Sequence, residues 1–180
     1  MGSRAAVMAA LEFLHGAKEE GVEEAEVGHR ARELDKNVSN APNEARRIHD
    51  SVLVNLILIS YPLVGPKKDV RSQILYDLPP TASVLFIIGS GDNMCPLDLL
   101  NDVRSKMAAK TRLVVVEDAN HGMHIKGKPD SVEKEVGEMT GKLAAEWVTG
   151  GEEWKGDEEW NIMWDDKKDQ MMVQRSKNRE

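Results

Sequence analysis

Apolar residues in this chain of 180 residues are concentrated in three nearly continuous runs rich in Val, Ile and Leu, at residues 52–59, 83–88 and 113–116. Runs of this length and composition are typical of strands that are covered on both faces. Between and after these runs the residues favour helices, at about 71–77, 96–110 and 131–148. The alternation of strands and helices predicts an α/β fold with three layers, α-β-α, around a mostly parallel sheet.

Two highly charged segments interrupt the pattern. Residues 17–50 contain nine acidic and six basic residues with few large apolar ones, and we interpret them as a charged insertion or a long loop. Residues 149–180 contain the same numbers of acidic and basic residues, with Trp154, Trp160 and Trp164 interspersed. We predict that this acidic tail is disordered; the alternative is a segment that folds when it binds a partner. Residues 1–148 then form one domain.

The residues before the insertion favour a helix. Residues 5–14 combine good helix formers with a broad apolar face, and Gly16 ends the pattern. Three strands are few for a doubly wound sheet, which usually has five or more. A helix at the very start of the chain, with so few strands to pack on, indicates a sheet that lacks its N-terminal strands. We therefore expect residues 1–148 to be the C-terminal part of a larger α/β domain.

Composition and charge narrow the classes of function. No apolar run approaches the 18–20 or so residues that cross a bilayer, so we expect no membrane association. The net charge of −7 argues against nucleic-acid binding, which needs a basic face. A single cysteine, Cys95, excludes an internal disulfide and a cysteine-based zinc cluster. It also fits a reducing compartment, so we expect a cytoplasmic or nuclear location.

Two titratable residues follow neighbouring strands of the predicted sheet. Asp92 comes after the strand at 83–88, and His121 comes after the strand at 113–116. In open α/β sheets, functional groups lie just beyond the carboxyl ends of the strands. An aspartate that accepts the imidazole N–H of a histidine fixes its tautomer and leaves the other ring nitrogen as a general base. The sequence therefore predicts a catalytic pair, although Asp92 alone could be a turn cap and His121 alone a surface loop residue.

Other constellations do not support a metal or a cofactor. The spacing His121-x-x-His124 with Asp118 resembles part of a metal site, but no further ligand is evident. The Gly-Ser-Gly of residues 89–91 lacks the further glycine or the Lys-Ser/Thr that dinucleotide and phosphate loops require. Cys95 follows the acid in a turn, where a packing thiol is the simpler interpretation. We expect neither a metal ion nor a cofactor.

The chain resembles a known family in several short motifs. The turns Gly89-x-Gly91-Asp92-x-x-x-Pro96 and Asn120-His121-Gly122 look like the acid and histidine turns of α/β-hydrolases. Together with the opening Met-Gly-Ser-Arg-Ala-Ala-Val of residues 1–7 and the Ile-Ser-Tyr-Pro-Leu of residues 59–63, they resemble one subgroup. It is the hydrolase-like family of the third regulatory subunit of the NSL histone acetyltransferase complex and its testis-expressed relatives. The resemblance covers about residues 1–148 without the insertion.

This resemblance implies a serine esterase or acyl hydrolase with Asp92 as the acid and His121 as the base. The family's nucleophile elbow reads Gly-x-Ser-x-Gly-Ser-Arg-Ala, and only the part after the serine matches this chain. Met1 matches the residue whose N–H contributes to the oxyanion hole, and the serine would directly precede it. Ser3 falls three positions too late to replace it. The expectation is a truncated hydrolase-like protein that is inactive alone, whose full-length relative takes a small acyl or ester substrate.

A second function from a different class stays open. Without the missing strands, residues 52–59 would form an exposed apolar edge of the sheet, and such edges invite pairing with another chain. The chain would then be a real short form that lost catalysis. On this hypothesis it is a non-catalytic interaction module of a larger complex, such as a nuclear one. The protein partner would bind at the edge of strand 52–59 or at the tail.

Overall fold

The structure, a computed structural model, describes residues 8–9, 54–150 and 159–176. Several predicted features lie outside these residues: Met1, the charged insertion of residues 17–50, and all of the predicted N-terminal helix except Met8 and Ala9. Those features stay predictions. The described residues contain the three predicted strands, the two turns that carry the acid and the histidine, and most of the tail.

Within the described residues, five strands form one sheet in the same order as in the chain: β1 Val54–Ile59, β2 Ala82–Gly89, β3 Lys110–Val116, β4 Glu159–Asp165 and β5 Gln170–Ser176. The first four strands run parallel, and β5 is antiparallel to β4. Helices lie in the connections between the parallel strands: α1 Gln73–Tyr76, α2 Leu97–Lys106 and α3 Asp130–Val148. Parallel strands need such crossovers. The predicted α/β fold with a mostly parallel sheet is therefore confirmed.

Side chains of β2 point alternately into two apolar cores, one on each face of the sheet. Val84, Phe86 and Ile88 pack with residues of α1 and α2. Leu85 and Ile87 pack with residues of α3. Alternate residues of a strand face opposite sides, so a strand between two helical layers must be apolar throughout. This explains why β2 reads as an unbroken apolar run and confirms the three-layer arrangement.

The first strand is covered less completely than the sequence suggests. Leu56 and Leu58 are buried in the core shared with α1 and α2, and Ile57 packs partly against the other core. The last residue of the strand, Ile59, is 50% exposed. The prediction of a strand covered on both faces is thus right for the α1–α2 side and wrong at Ile59 on the α3 side.

The predicted disordered tail contains an ordered β-hairpin, so the prediction of disorder is wrong for residues 159–176. β4 continues the parallel sheet beside β3, and β5 returns antiparallel along it. Trp160, Ile162 and Met171 are buried in the core under α3. Apolar residues at every second position of β4 supply this buried face, and burying them offsets the cost of ordering a charged segment. Arg104 of α2 also bonds Glu159 at 2.7 Å, which ties the hairpin to the helix layer.

Each of the two longer helices buries one apolar face against the sheet. Leu100 and Val103 of α2 are buried, and so are Val132, Val136 and Leu143 of α3. Helix α2 ends earlier than predicted because the following backbone turns extended, and residues 110–112 pair with β2 instead. Among the described residues, no helix combines the length and the apolar character needed to cross a membrane.

Candidate functional site

The carboxyl ends of β2 and β3 bring the acid turn and the histidine turn together. Gly89, the last residue of β2, lies opposite Val116, the last residue of β3. Asp92 follows three residues after one strand end, and His121 follows five residues after the other. Because the strands are parallel and level at their ends, both turns project from the same edge of the sheet. The structure therefore places the two predicted site residues side by side.

Three hydrogen bonds hold the two turns against each other. The Ser90 N–H donates to the Val116 carbonyl at 2.9 Å, and the Gly91 N–H donates to the Ala119 carbonyl at 2.9 Å. The Ser90 hydroxyl oxygen accepts the N–H of Asp118 at 2.8 Å. Asp118 has a φ of 58°, a left-handed conformation that aspartate adopts more readily than most residues with a side chain. Ser90 is thus a structural part of the site whose contact the sequence did not predict.

Gly89 permits the close contact of the turns. A Cβ atom at this position would overlap the carbonyl oxygen of Ala119. Since the overlap is with backbone, a rotation of a side chain could not relieve it. Glycine at this position therefore has a packing reason, because only a residue without Cβ lets the two turns approach so closely. The first glycine of the Gly-Ser-Gly motif thus serves the contact between the turns.

The carboxylate of Asp92 is fully buried and has two hydrogen-bond partners. One oxygen, Oδ1, accepts the N–H of Met94 at 2.8 Å. The other, Oδ2, lies 2.9 Å from Nδ1 of His121. None of the side chain is exposed to solvent. A buried carboxylate is costly unless it is bonded, and these two contacts occupy one lone pair on each oxygen. The carboxylate is consequently held in a fixed direction toward the imidazole.

The imidazole of His121 has one nitrogen engaged and part of its ring open. Its side chain is 39% exposed, in contrast to the buried carboxylate beside it. An ionised carboxylate can only accept hydrogen bonds, so the Nδ1 that faces Asp92 has to carry the proton. In the neutral imidazole the other nitrogen, Nε2, then has a free lone pair. The arrangement can therefore accept a proton at Nε2 while the carboxylate stabilises the resulting positive charge.

Cys95 does not take part in this chemistry. The thiol is buried, and burial together with the nearby negative charge of Asp92 raises its pKa to about 12 from an ordinary 9.0. A thiol attacks and binds metals as the thiolate, and at neutral pH this one is protonated. Cys95 belongs to the apolar core under α2. A packing role agrees with both observations.

The second histidine of the His-x-x-His spacing points elsewhere. Nδ1 of His124 bonds Oε1 of Glu133 on α3, and both side chains are about half exposed. His121 is engaged with Asp92 and does not converge with this pair. No group of three or more His, Cys, Asp or Glu side chains able to hold a metal ion occurs in the part of the chain that the structure describes.

An apolar groove lies next to the histidine turn, on the α3 face of the sheet. It has a volume of about 380 Å³. Gly122 and Met123 of the histidine turn line it, together with Ile59 at the end of β1. Two small residues of α3, Gly137 and Gly141, also line it. Neither Asp92 nor His121 lines the groove, so it adjoins the acid–histidine pair without containing it.

No family model matches the chain, and no solved structure matches it. The assignment of the site therefore depends on the geometry above. Met1, the expected oxyanion-hole position, lies outside the described residues. Of the three predicted site residues, the structure brings Asp92 and His121 together.

Proposed function

We propose that Asp92 and His121 are the acid and the base of a serine-type acyl hydrolase of the α/β-hydrolase class. One observation carries the proposal: a fully buried carboxylate 2.9 Å from a part-exposed imidazole, on the turns that follow two neighbouring parallel strands. In α/β folds, functional sites lie at the carboxyl ends of the strands, as this pair does. The order of the chain, aspartate before histidine, also agrees with this class.

The roles follow from the geometry of the pair. His121 accepts the hydroxyl proton of a serine at Nε2 as the serine attacks an acyl carbon, and returns it to the leaving group. Asp92 holds the Nδ1–H tautomer and stabilises the imidazolium that forms, without becoming protonated itself. The buried position of Asp92 strengthens this electrostatic interaction because little water screens it. An ester or a related acyl compound is the substrate class that such a pair serves.

The serine itself is supplied, in this proposal, by the position that precedes Met1. The motif Gly-Ser-Arg-Ala at residues 2–5 matches the part of the family's elbow that follows the nucleophile. Within the described residues, β1 is the end strand of the sheet, on the side away from the hairpin. A further parallel strand added there would end at the same edge as the acid and histidine turns. That is the edge from which a nucleophile could reach His121.

Serine-directed labelling tests the proposal. The chain of 180 residues should stay unlabelled by a fluorophosphonate, whereas a longer protein read from the coding sequence upstream of Met1 should label at the serine before Met1. In that longer protein, His121→Ala should slow ester hydrolysis by about 10⁶-fold, as removal of a triad histidine does. Unchanged hydrolysis in His121→Ala would discard the acid–base role, and stoichiometric labelling of Ser3 in the shorter chain would discard the assignment of the nucleophile.

His124→Ala is the matched control for this experiment. His124 lies three residues from His121, is exposed, and bonds Glu133 on α3 instead of Asp92. Its loss should leave the hydrolysis rate unchanged because it has no contact with the acid. An equal loss of rate in both variants would mean that the turn as a whole, and not the imidazole of His121, determines activity.

The edge of β1 supports the interaction module as a second candidate. The strand reads Val-Asn-Leu-Ile-Leu-Ile and contains neither a charged residue nor a proline, the residues that discourage pairing with another chain. Ile59, the last residue of this strand, is 50% exposed. An upstream in-frame stop codon, together with no hydrolysis by the chain, would favour this candidate over the hydrolase.

A further inference from the structure

The histidine turn is closed around His121 by the side chain of one neighbour, Asn120. The Oδ1 of Asn120 accepts the N–H of Gly122 at 2.8 Å and the N–H of His124 at 3.2 Å. Both partners are N–H donors, so the amide oxygen and not the NH₂ group has to face them. A single side-chain atom thereby joins Gly122 and His124, the residues on either side of Met123.

The backbone of the same turn needs this support. The Asn120 N–H donates to the His124 carbonyl at 3.0 Å, and the Met123 N–H donates to the Asn120 carbonyl at 2.9 Å. Met123 has a φ of 64°, in the left-handed region that side-chain-bearing residues rarely occupy. Asparagine side chains stabilise such turns by bonding backbone N–H groups two residues ahead. The turn is therefore held in a conformation that its backbone alone would not favour.

We infer that Asn120 is a positioning residue for His121: its side-chain oxygen fixes the turn that aims Nδ1 at the carboxylate of Asp92. The catalytic use of this alignment rests on the proposed function. The alignment itself does not, because the contact between Asp92 and His121 is present without a substrate. Asn120 is exposed, so its side chain has no core-packing role that would explain its contacts. Its two bonds lie within the turn itself and reach no other element.

Asn120→Ala tests the inference on the chain of 180 residues. The ¹⁵N shifts of the His121 ring report which nitrogen carries the proton in alkaline buffer, where imidazole is neutral. The wild type should show the Nδ1–H form, and Asn120→Ala should show a mixture with a substantial Nε2–H fraction. Amide exchange at Gly122 and His124 should accelerate by about tenfold, the effect of losing one hydrogen bond. Unchanged ring shifts in Asn120→Ala would overturn the inference.

Two further variants separate a positioning role from a general loss of structure. Asn120→Asp keeps an oxygen acceptor at the same distance and should retain the wild-type ring shifts. Asn101→Ala removes an exposed asparagine of α2 that bonds Arg104 far from the turn, and should leave them unchanged as well. If Asn120→Ala does not fold, the ring shifts of Asn120→Asp become the test. Loss of the Nδ1–H form in that folded variant would overturn the inference. A wild type without the Nδ1–H form would instead contradict the acid–base pair of the proposed function.

Discussion

Replacement of Asp92 by asparagine should reverse the tautomer of His121. The Met94 N–H donates to one oxygen of the carboxylate, so the oxygen of an amide would take that position. The NH₂ group would then occupy the place of Oδ2, which lies 2.9 Å from Nδ1 of His121. Since the NH₂ group donates, Nδ1 would have to accept, and the ring proton would move to Nε2. A histidine with its proton on Nε2 cannot act as the base that the proposal requires.

The size of the effect follows from the kind of bond that is lost. A hydrogen bond to a charged group contributes about 1.5–3 kcal/mol. In the wild type this favours the Nδ1–H tautomer over Nε2–H by about 10- to 100-fold, since each 1.4 kcal/mol is a factor of ten. Because Asp92 is fully buried, little solvent competes for the bond. One tautomer should therefore dominate each protein.

Two-dimensional ¹⁵N–¹H spectra of the His121 ring in alkaline buffer measure the tautomers directly. The wild type should show Nδ1–H and Asp92→Asn should show Nε2–H. Asp98→Asn, an exposed aspartate in the first turn of α2, is the control and should match the wild type. If the wild type and Asp92→Asn share one tautomer, the contact between Asp92 and His121 does not orient the ring, and the reasoning fails.

Three further predictions concern stability and are tested by urea denaturation. Gly89→Ala should lower the free energy of unfolding by about 1–3 kcal/mol because its Cβ overlaps the Ala119 carbonyl; an unchanged value would mean that the turns are not in contact. Ile162→Ala should lower it by about 2–5 kcal/mol, whereas a disordered tail would give no change. Burial raises the pKa of Cys95 to about 12, so the folded chain holds the thiol proton more tightly than the unfolded one. The contribution of this protonated thiol to the stability of the folded chain is complete below pH 9 and is lost as the pH rises toward about 12. Cys95→Ala should lack this loss, and a parallel decline in both proteins would contradict it.

The strands and the site were predictable because their signals are local. An apolar run such as that of β2 indicates a strand buried on both faces, and the turn residues after it carry the chemistry. Asp92 and His121 could be paired from the sequence because parallel strands end at one edge. Their distance could not be predicted, since it depends on the close approach of Gly89 to the Ala119 carbonyl.

The hairpin is difficult to predict because charged residues dominate the sequence of the tail. Trp160, Ile162 and Trp164 alternate along β4, and this period of two is a strand signal. The many acidic and basic residues of the segment suggested a solvated chain instead. What orders the segment is the non-local pairing of β4 with β3 and the bond from Arg104 to Glu159. Contacts between residues so far apart in the chain leave little trace in a local pattern.

The role of Asn120 was hidden for a similar reason. Asparagine is frequent in turns, so an Asn-His-Gly sequence indicates a turn. It does not show which backbone N–H groups donate to the asparagine side chain. The left-handed conformation of Met123 also has no sequence signal, because a methionine rarely adopts it. Both features appear only once the turn is closed in three dimensions.

The most direct measurement is the rate of ester hydrolysis by the longer protein that includes the residue before Met1, with His121→Ala and His124→Ala compared side by side. The acid–base proposal predicts a serine labelled by fluorophosphonate at that residue, a rate reduced by about 10⁶-fold in His121→Ala, and an unchanged rate in His124→Ala. Equal rates in the wild type and His121→Ala would contradict the proposal.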